Sequence, residues 1–226
     1  MSIPVITIDG PSGVGKGTVA RAVARRLGWQ FLDSGSLYRI LALAAQKAGI
    51  AGSDAAAVAA LVPGLNIMFE LQDSENERIV VDGEELSGRV RAETTGALAS
   101  VIAVHPQVRA ALLERQRAFR QPPGLVADGR DMGTVVFPEA GLKIFLVASA
   151  DERARRRLNQ LRKAGIAANI AALREEIRER DVRDRSRTVS PLKAADDAVT
   201  IDTTELSIER VLARVEQLIE ARAYAR

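Results

Sequence analysis

The sequence predicts an α/β fold, with helices flanking a mainly parallel core sheet and a small antiparallel β insertion. Short apolar runs alternate with amphipathic stretches along most of the chain, which is the pattern of strand–helix units around a parallel sheet. The stretch 63–88 breaks this alternation and carries a hairpin-type Asp82-Gly83 turn. A glycine-rich turn joins the first apolar run to the first helical stretch.

Length and composition fit one compact domain that carries an insertion. The 226 residues are 47% hydrophobic, which is ample for a buried core. The net charge is only +3 and aromatic residues make up 4%, so both neutralisation of a polyanion and stacking of nucleic-acid bases are disfavoured. We therefore expect no nucleic-acid partner.

Several kinds of site are excluded by missing residue types. Cysteine is absent, and the single histidine, His105, cannot form a metal cluster. The N-terminus lacks the basic and apolar regions of a signal peptide, and no uncharged apolar run reaches the roughly 18 residues that span a bilayer. We expect a cytoplasmic monomer with no membrane partner and no metal site of its own.

The elements of the core follow from local patterns. Five strands are predicted, at residues 3–8, 29–33, 125–128, 142–147 and 198–202. Ser149 and Glu152 have the spacing of a capping box at the start of the helix after the fourth strand. The last helix is the clearest, because apolar residues recur on one face at Ile208, Val211, Leu212, Val215, Leu218 and Ile219.

The turn after the first strand has the composition of a phosphate-binding P-loop. Its glycines let successive backbone N–H groups point inward, so the loop and the helix N-terminus can bind phosphate oxygens. A lysine after the last turn glycine would reach the β and γ phosphates of ATP, and a plain helix-capping turn would not require it. The residues expected to bind ATP are Gly10, Pro11, Ser12, Gly13, Val14, Gly15, Lys16, Gly17 and Thr18.

Gly17 departs from the common P-loop pattern, in which serine or threonine follows the lysine. Thr18 comes one position later, so the Mg²⁺ that accompanies ATP would be held through waters and phosphate oxygens. A dinucleotide-binding loop would need glycine at position 18, which disfavours that alternative despite Asp33 at the end of the second strand.

Two further polar segments follow strands of the predicted sheet. The segment DSGSLYR at 33–39 follows the second strand, and DGRDMGT at 128–134 follows the third. Ligands of open α/β sheets bind outside the carboxyl ends of the strands, so both segments should face the P-loop. Their arginines suit phosphoryl transfer, which depends on positioning and positive charge.

These motifs resemble those of bacterial cytidylate kinases, in the nucleoside monophosphate kinase group of P-loop kinases. The resemblance covers nearly the whole chain and rests on IDGPSG at 8–13, DSGSLYR, ADGRDMGTVVFP at 127–138 and ERDVRDRSR at 179–187. We expect a P-loop kinase with a parallel core sheet, an acceptor-binding region with the β insertion, and a short lid. The expected boundaries are 1–34, 98–152 and 188–226 for the core, 35–97 for the acceptor-binding region, and 153–187 for the lid.

The resemblance also implies roles for individual residues toward the acceptor CMP. Arg39 and Arg130 would hold its phosphate, and Asp184 and Arg180 would meet the sugar hydroxyls. Ser100 is a further expected contact. The residues expected around the cytosine are Ser34, Arg109, Asp131 and Arg187.

Elementary chemistry agrees with a cytosine acceptor. A carboxylate accepts from an exocyclic amine and an arginine donates to ring acceptors, so Asp131 with Arg109 and Arg187 suits that base. Positions 180, 184 and 187 should share one helical face.

The same residues could also have structural roles without binding a ligand. Ser34 could instead cap the helix that follows it. Arg39 and Arg109 could be solvated helix arginines, and Arg130 with Asp131 could be a surface ion pair. Taken alone, the run 178–187 reads as a solvated charged helix, and only the resemblance favours a site.

Arginines after the fourth strand lie where monophosphate kinases carry a mobile lid. Arg153 and Arg157 are one helical turn apart and resemble the pair that packs on adenine and contacts the donor phosphates, with Arg156 as an alternative. A solvated basic helix end is the competing interpretation.

The predicted activity is transfer of the ATP γ-phosphate to CMP or dCMP, with Mg²⁺ bound to ATP. The residues expected to act in catalysis are Lys16, Arg39, Arg130 and Arg157. The alternatives are a kinase for another monophosphate or small acceptor, and a nucleotide-dependent switch without catalysis.

Overall fold

The computed structural model describes residues 3–71, 77–163 and 165–222. Short helical turns at Val62–Gly64 and Met132–Val136 join longer elements. In chain order these are β1 (Val5–Asp9), α1 (Lys16–Leu27), β2 (Gln30–Asp33), α2 (Ser34–Lys47), α3 (Ala55–Ala60), β3 (Ile67–Leu71), β4 (Glu77–Val81), β5 (Glu84–Glu85), α4 (Ser87–Arg91), α5 (Glu93–Ile102), α6 (Pro106–Ala118), β6 (Leu125–Gly129), β7 (Leu142–Val147), α7 (Ala150–Lys163), α8 (Ile170–Arg185), β8 (Val199–Asp202) and α9 (Ile208–Ala221).

The core sheet consists of five parallel strands in the order β2-β6-β1-β7-β8. The predicted parallel sheet is confirmed, and each predicted strand agrees with the observed bounds to within two residues. Asp33 is in register with Asp128, and Asp9 with Gly129. The carboxyl ends of β2, β6 and β1 therefore lie side by side, and this edge carries the polar segments singled out in the sequence.

Helices cover both faces of the sheet. Because side chains alternate along a strand, Ile6 and Ile8 of β1 enter one buried cluster and Val5 enters the other. Helices α1 and α9 pack on the first face, where Val19 and Val215 are fully buried. The apolar stripe predicted for the C-terminal helix is confirmed and closes this half of the core.

The β insertion is a separate three-stranded antiparallel sheet in the order β3-β4-β5. The predicted turn joins β4 to β5, and Asp82 and Gly83 have φ of 52° and 85°, the left-handed pair that a tight hairpin requires. Ile67 and Ile79 of this sheet are buried in the same cluster as α2. The insertion is thus packed against the face of the core that α2 covers.

The capping box predicted at the start of α7 is only half formed. The Glu152 N–H donates to Ser149 Oγ at 3.2 Å, as predicted. The reciprocal bond was predicted wrongly, because the Ser149 N–H donates instead to Thr204 Oγ1, and the Glu152 carboxylate pairs with Arg155 and Arg156. Arginines later in the same helix therefore compete successfully for this carboxylate.

The helices of the described ranges are short compared with a bilayer, or interrupted by charged residues. No single one is long and apolar enough to cross a bilayer. Only α5 and α6 taken together reach that length and composition, and the two are bent by 107°.

Candidate active site

The predicted P-loop lies between β1 and α1. Gly13 and Gly15 have φ of 82° and 94°, in the left-handed region that favours glycine. At Gly10 a side chain would lie 2.2 Å from the carbonyl oxygen of Leu146, so only glycine fits against β7. The turn owes its shape to these glycines, and it leads directly into the free N–H groups at the start of α1.

Lys16 is buried under this turn. Its Nζ donates to the carbonyl oxygen of Pro11 at 2.8 Å and lies 4.0 Å from Asp128 Oδ1. Burial lowers the pKa of Lys16, with a further contribution from Arg130, and burial raises the pKa of Asp128. A bound phosphate would oppose the first effect, because an anion favours the charged form of lysine.

Asp128 also lies beside the glycine that follows Lys16. A methyl group at Gly17 would lie 3.3 Å from Asp128 Oδ2 and 3.2 Å from a guanidinium nitrogen of Arg21. A hydroxyl-bearing side chain would therefore be crowded here. The neighbouring Asp33 adds a second carboxylate at the same sheet edge, although the described residues contain no group of three or more side chains able to hold a metal ion.

A pocket beside this edge, the acceptor pocket, brings together all nine residues predicted to bind CMP. It lies between α2, α5, α6, the end of β6 and the end of α8, so its members come from five separate parts of the chain. Its lining residues are Ser34, Gly35, Tyr38, Arg39, Ala99, Ser100, Ala103, Arg109, Arg130, Asp131, Arg180, Asp184 and Arg187.

The acceptor pocket is strongly positive, with five arginines and two aspartates in its wall. At the α8 end, Asp184 Oδ2 accepts from Arg130 Nε at 3.0 Å, and Asp184 Oδ1 accepts from Arg187. Burial alone would raise the pKa of Asp184, but the arginines hold it below its ordinary value. Burial and Arg130 lower the pKa of Arg180 to about 10. Such a concentration of buried cations fits an anionic ligand.

A second ion pair forms the α6 side of the acceptor pocket. Arg109 Nη2 donates to Asp131 Oδ2, and both side chains are 7% exposed. The guanidinium of Arg109 also lies over the ring of Tyr38, 5.6 Å from its centroid. The interpretation of Arg109 as a solvated helix arginine is therefore wrong, as is that of Asp131 as part of a surface pair.

Two local expectations on the acceptor side need correction. Ser34 does not cap α2, because the carboxylate of Asp33 does so, accepting from the Ser36 N–H at 3.1 Å. Ser34 is instead buried in the pocket wall. Arg187 lies beyond the end of α8 and reaches Asp184 from the following turn, so positions 180, 184 and 187 do not share one helical face.

The lid arginines occupy three different environments. Arg153 is 3% exposed and its guanidinium is bound by the carbonyl oxygens of Ala148 and Ser12 and by both oxygens of Asp181. The carboxylate of Asp181 in α8 thus holds this side chain against the P-loop. The expected contact of Arg153 with ATP stays a prediction.

Arg156 and Arg157 lie at a larger opening beside the P-loop. This donor cavity, of about 460 Å³, is bounded by residues 13–15, α7 and the chain from Thr203 to Val211. Arg156 donates to the backbone and side chain of Thr203, whereas Arg157 pairs with Glu93 of α5. Arg157 also lines a smaller junction cavity, which contains Ser12, Gly13, Arg39 and Arg180 and lies between the donor cavity and the acceptor pocket.

Sequence reasoning missed Asp9 at the end of β1. Its side chain is buried and accepts hydrogen bonds from the backbone N–H groups of Met132 and Gly133 at 2.9 and 2.8 Å. Asp9 thus joins the P-loop strand to the turn that carries Asp131. Its only sequence signal was a charged residue at the end of an otherwise apolar strand.

The stability of the protein should depend on pH through Asp9. Burial raises its pKa to about 7 from 3.8, with smaller contributions from Asp131 and Asp128. Because the folded state holds this proton more tightly than the unfolded chain, its contribution is complete below pH 3.8 and is lost as the pH rises toward 7. The free energy of unfolding should therefore fall by about 1.4 kcal/mol per pH unit in this window from this group.

The Asp9→Asn variant isolates that contribution. Urea unfolding of both proteins between pH 4 and 8 should give a difference in unfolding free energy that moves in favour of the variant as the pH rises. Groups remote from Asp9 titrate alike in both proteins and cancel in the difference. Parallel pH profiles would contradict the assignment.

Several relatives of this chain are named cytidylate kinases. The cytidylate kinase family model matches residues 6–221. A cytidylate kinase of Methylococcus capsulatus is 57% identical over 211 residues, which are 93% of this chain and 94% of that protein. That of Stutzerimonas stutzeri is 58% identical over 94% of this chain and 93% of its own length. That of Azotobacter vinelandii is 54% identical over 98% of this chain and 97% of its own length. The chain therefore belongs to the cytidylate kinase family.

Proposed function

We propose that this P-loop kinase transfers the γ-phosphate of ATP to the phosphate of CMP and releases CDP and ADP. The observation that carries the proposal is the Arg109–Asp131 pair in a cationic pocket connected through a junction cavity to the P-loop. The pocket offers a carboxylate and a guanidinium to a base, while Arg39 and Arg130 offer charge to a phosphate. Family membership supports the same substrates.

Recognition of the base follows from the hydrogen-bonding groups in the pocket wall. Cytosine presents an exocyclic amine beside ring acceptors, which matches the acceptor oxygens of Asp131 and the donors of Arg109 and Arg187. Ser34 and Ser100 line the same wall, and the buried Ser100 hydroxyl has no hydrogen-bond partner among the described residues. Asp184 and Arg180 would serve the ribose hydroxyls.

The transfer itself needs no general base, because the attacking oxygen of CMP is already anionic. A bond forms between that oxygen and the γ-phosphorus as the bond from the γ-phosphorus to the β–γ bridging oxygen breaks. Lys16, Arg39, Arg130 and Arg157 are proposed to stabilise the charge on the transferring group, which is the main requirement of phosphoryl transfer. Arg39 and Arg157 both line the junction cavity.

Magnesium is proposed to accompany ATP at the P-loop. Asp128 and Asp33 fit that ion, because carboxylates suit Mg²⁺ and can hold its water ligands where Gly17 offers no hydroxyl. When bound, the ion would neutralise β- and γ-phosphate charge. Asp128 also balances the positive charge of the Lys16 ammonium group, which lies 4.0 Å away.

Three further expectations concern the organisation of the chain. We propose that residues 153–187, which include most of α7 and α8, act as a lid, that 35–97 is the acceptor-binding region, and that the remaining residues are the core. The connection between lid and core through Arg153, Asp181 and Ser12 supports a lid that rests on the P-loop. The monomeric state, the cytoplasmic location and the absence of a nucleic-acid partner stay predictions.

An acceptor panel tests the proposed function. With ATP and Mg²⁺, kcat/KM should be highest for CMP and dCMP and lower by about ten- to a hundredfold for UMP, which lacks the amine, since one good base contact has about that value. Formation of ADP and the acceptor diphosphate should be measured together, with an acceptor-free reaction as the control for ATP hydrolysis. A preference for AMP or for a hydroxyl acceptor would indicate another kinase, and nucleotide binding without turnover would indicate a switch.

A further inference from the structure

Arg39 lies where the acceptor phosphate and the donor phosphates would meet. It belongs to α2 and lines both the acceptor pocket and the junction cavity, the latter with Ser12 and Gly13 of the P-loop. Burial lowers its pKa, while Asp33 opposes that effect. The orientation of this one guanidinium therefore decides which of its N–H groups face the transfer.

The backbone between α4 and α5 holds one nitrogen of that guanidinium. Arg39 Nη1 donates to the carbonyl oxygens of Val90 and Ala92, both at 3.0 Å. The Nη1 group has no hydrogen left after these bonds. Within the described residues no hydrogen bond engages the edge formed by Nε and Nη2. Such an edge is the two-pronged donor that binds one phosphate through parallel hydrogen bonds.

Gly96 lies against the same guanidinium. A methyl group at this position would lie 2.6 Å from Arg39 Nη2 and 2.9 Å from Cζ. Gly96 is buried in the first half of α5 and needs no left-handed φ. Glycine is a poorer helix former than alanine. The space that the Arg39 guanidinium occupies is therefore a physical reason for glycine at position 96. At Gly88 in α4 such a methyl group would meet no atom within 4 Å from the rest of the described chain, apart from its own neighbours and helix backbone.

The segment 90–96 is itself tied to the β insertion. Val90 is fully buried and its N–H donates to the carbonyl oxygen of Leu86, while Thr95 Oγ1 donates to that of Arg89. At the start of α4, Ser87 Oγ accepts from the Ile79 N–H of β4 at 2.9 Å. The antiparallel sheet thus supports the helix whose C-terminal carbonyl groups hold Arg39.

We propose that Gly96 is a positioning residue for phosphoryl transfer, acting with the Val90 and Ala92 carbonyl groups as a clamp that aims the Nε–Nη2 edge of Arg39 at the acceptor phosphate. The β insertion supports α4, whose carbonyl groups form part of this clamp. The proposal rests on the proposed function for the identity of the acceptor. The clamp itself depends only on contacts within the protein.

Gly96→Ala tests the clamp in the whole enzyme, with Gly88→Ala as the matched control. The added methyl should displace the Arg39 guanidinium and lower kcat/KM for CMP by about tenfold, as expected for the loss of one good charge-assisted contact. KM for ATP should change by less than about twofold, and Gly88→Ala should behave as wild type. A merely destabilised protein would instead lose activity toward both substrates together.

A double-mutant cycle with Arg39→Lys makes the test specific. Lysine keeps the charge but has no planar guanidinium for the methyl to meet, so Gly96→Ala should change kcat/KM for CMP by less than about twofold in that background. A full tenfold loss in the Arg39→Lys background, or wild-type kinetics for Gly96→Ala alone, would overturn the proposal.

A measurement without substrate separates this proposal from the proposed function. The Arg39 Nε–H resonance, assigned by its disappearance in Arg39→Lys, should shift in Gly96→Ala and stay in place in Gly88→Ala. An unshifted resonance in Gly96→Ala overturns the clamp even if CMP is the substrate. A shifted resonance in an enzyme that does not phosphorylate CMP keeps the clamp and overturns the acceptor assignment.

Discussion

Replacing Lys16 by alanine should reduce kcat by at least about a hundredfold while the protein stays folded. The lysine is the first residue of α1, directly after the P-loop turn. Loss of one preorganised group that stabilises transition-state charge typically costs two to three orders of magnitude. Stability should not fall in proportion, because burial already disfavours the charged form of Lys16 in the free protein. The effect is therefore on the reaction and not on the fold.

Steady-state kinetics with saturating ATP and CMP would measure this loss, alongside thermal unfolding of both proteins. Lys47→Ala is a suitable control, since Lys47 is exposed in the last turn of α2. A folded Lys16→Ala protein with near-normal kcat would show that the P-loop lysine does not act on the transferring phosphoryl group.

The Asp131→Asn substitution should strongly reduce the preference for CMP over UMP. Cytosine offers an amine where uracil offers a carbonyl oxygen, so a fixed carboxylate favours the first and repels the second. The amide of asparagine can present either an acceptor or a donor. The ratio of kcat/KM for CMP to that for UMP should therefore shrink by roughly ten- to a hundredfold, the value of about 1–3 kcal/mol for one paired base contact.

Asp131 is also half of a buried ion pair, so stability must be separated from specificity. Breaking such a pair leaves Arg109 buried without its partner and can cost about 3–5 kcal/mol. Asp181→Asn is the matched control, because Asp181 pairs with the buried Arg153 outside the acceptor pocket. It should lower the unfolding temperature without changing the CMP to UMP ratio. An unchanged ratio in folded Asp131→Asn would make Asp131 a structural residue.

Local chemistry was sufficient to predict the scaffold of this protein. The P-loop could be identified because glycines followed by Lys16 dictate a backbone turn that few other functions need. The strands could be placed because short apolar runs alternate with amphipathic helical stretches. The Asp82-Gly83 turn identified the β insertion for the same reason, since its left-handed backbone is a local requirement. The segments after β2 and β6 could be assigned to one edge because parallel strands share a direction.

The partners of individual side chains were decided by the tertiary structure. Arg153 is bound by Asp181, 28 residues away in the chain, a pair that the sequence did not indicate. Ser34 and Asp33 are both good helix caps, and only the packing of α2 showed that Asp33 takes this role while Ser34 enters the pocket wall. No local pattern can rank such competitors, because the competing groups are brought together only when distant segments pack.

The sequence by itself determined the sheet, the P-loop and the set of residues around the acceptor pocket, since each depends on backbone geometry or on a motif contained in a short segment. Only the tertiary structure decided which distant groups contact these residues. Asp9 binds the turn that carries Asp131, and Asp128 lies beside Gly17. The carbonyl groups of Val90 and Ala92 bind Arg39. Electrostatic partners are chosen by distance and burial across the whole fold, and neither quantity can be obtained from the order of residues along the chain.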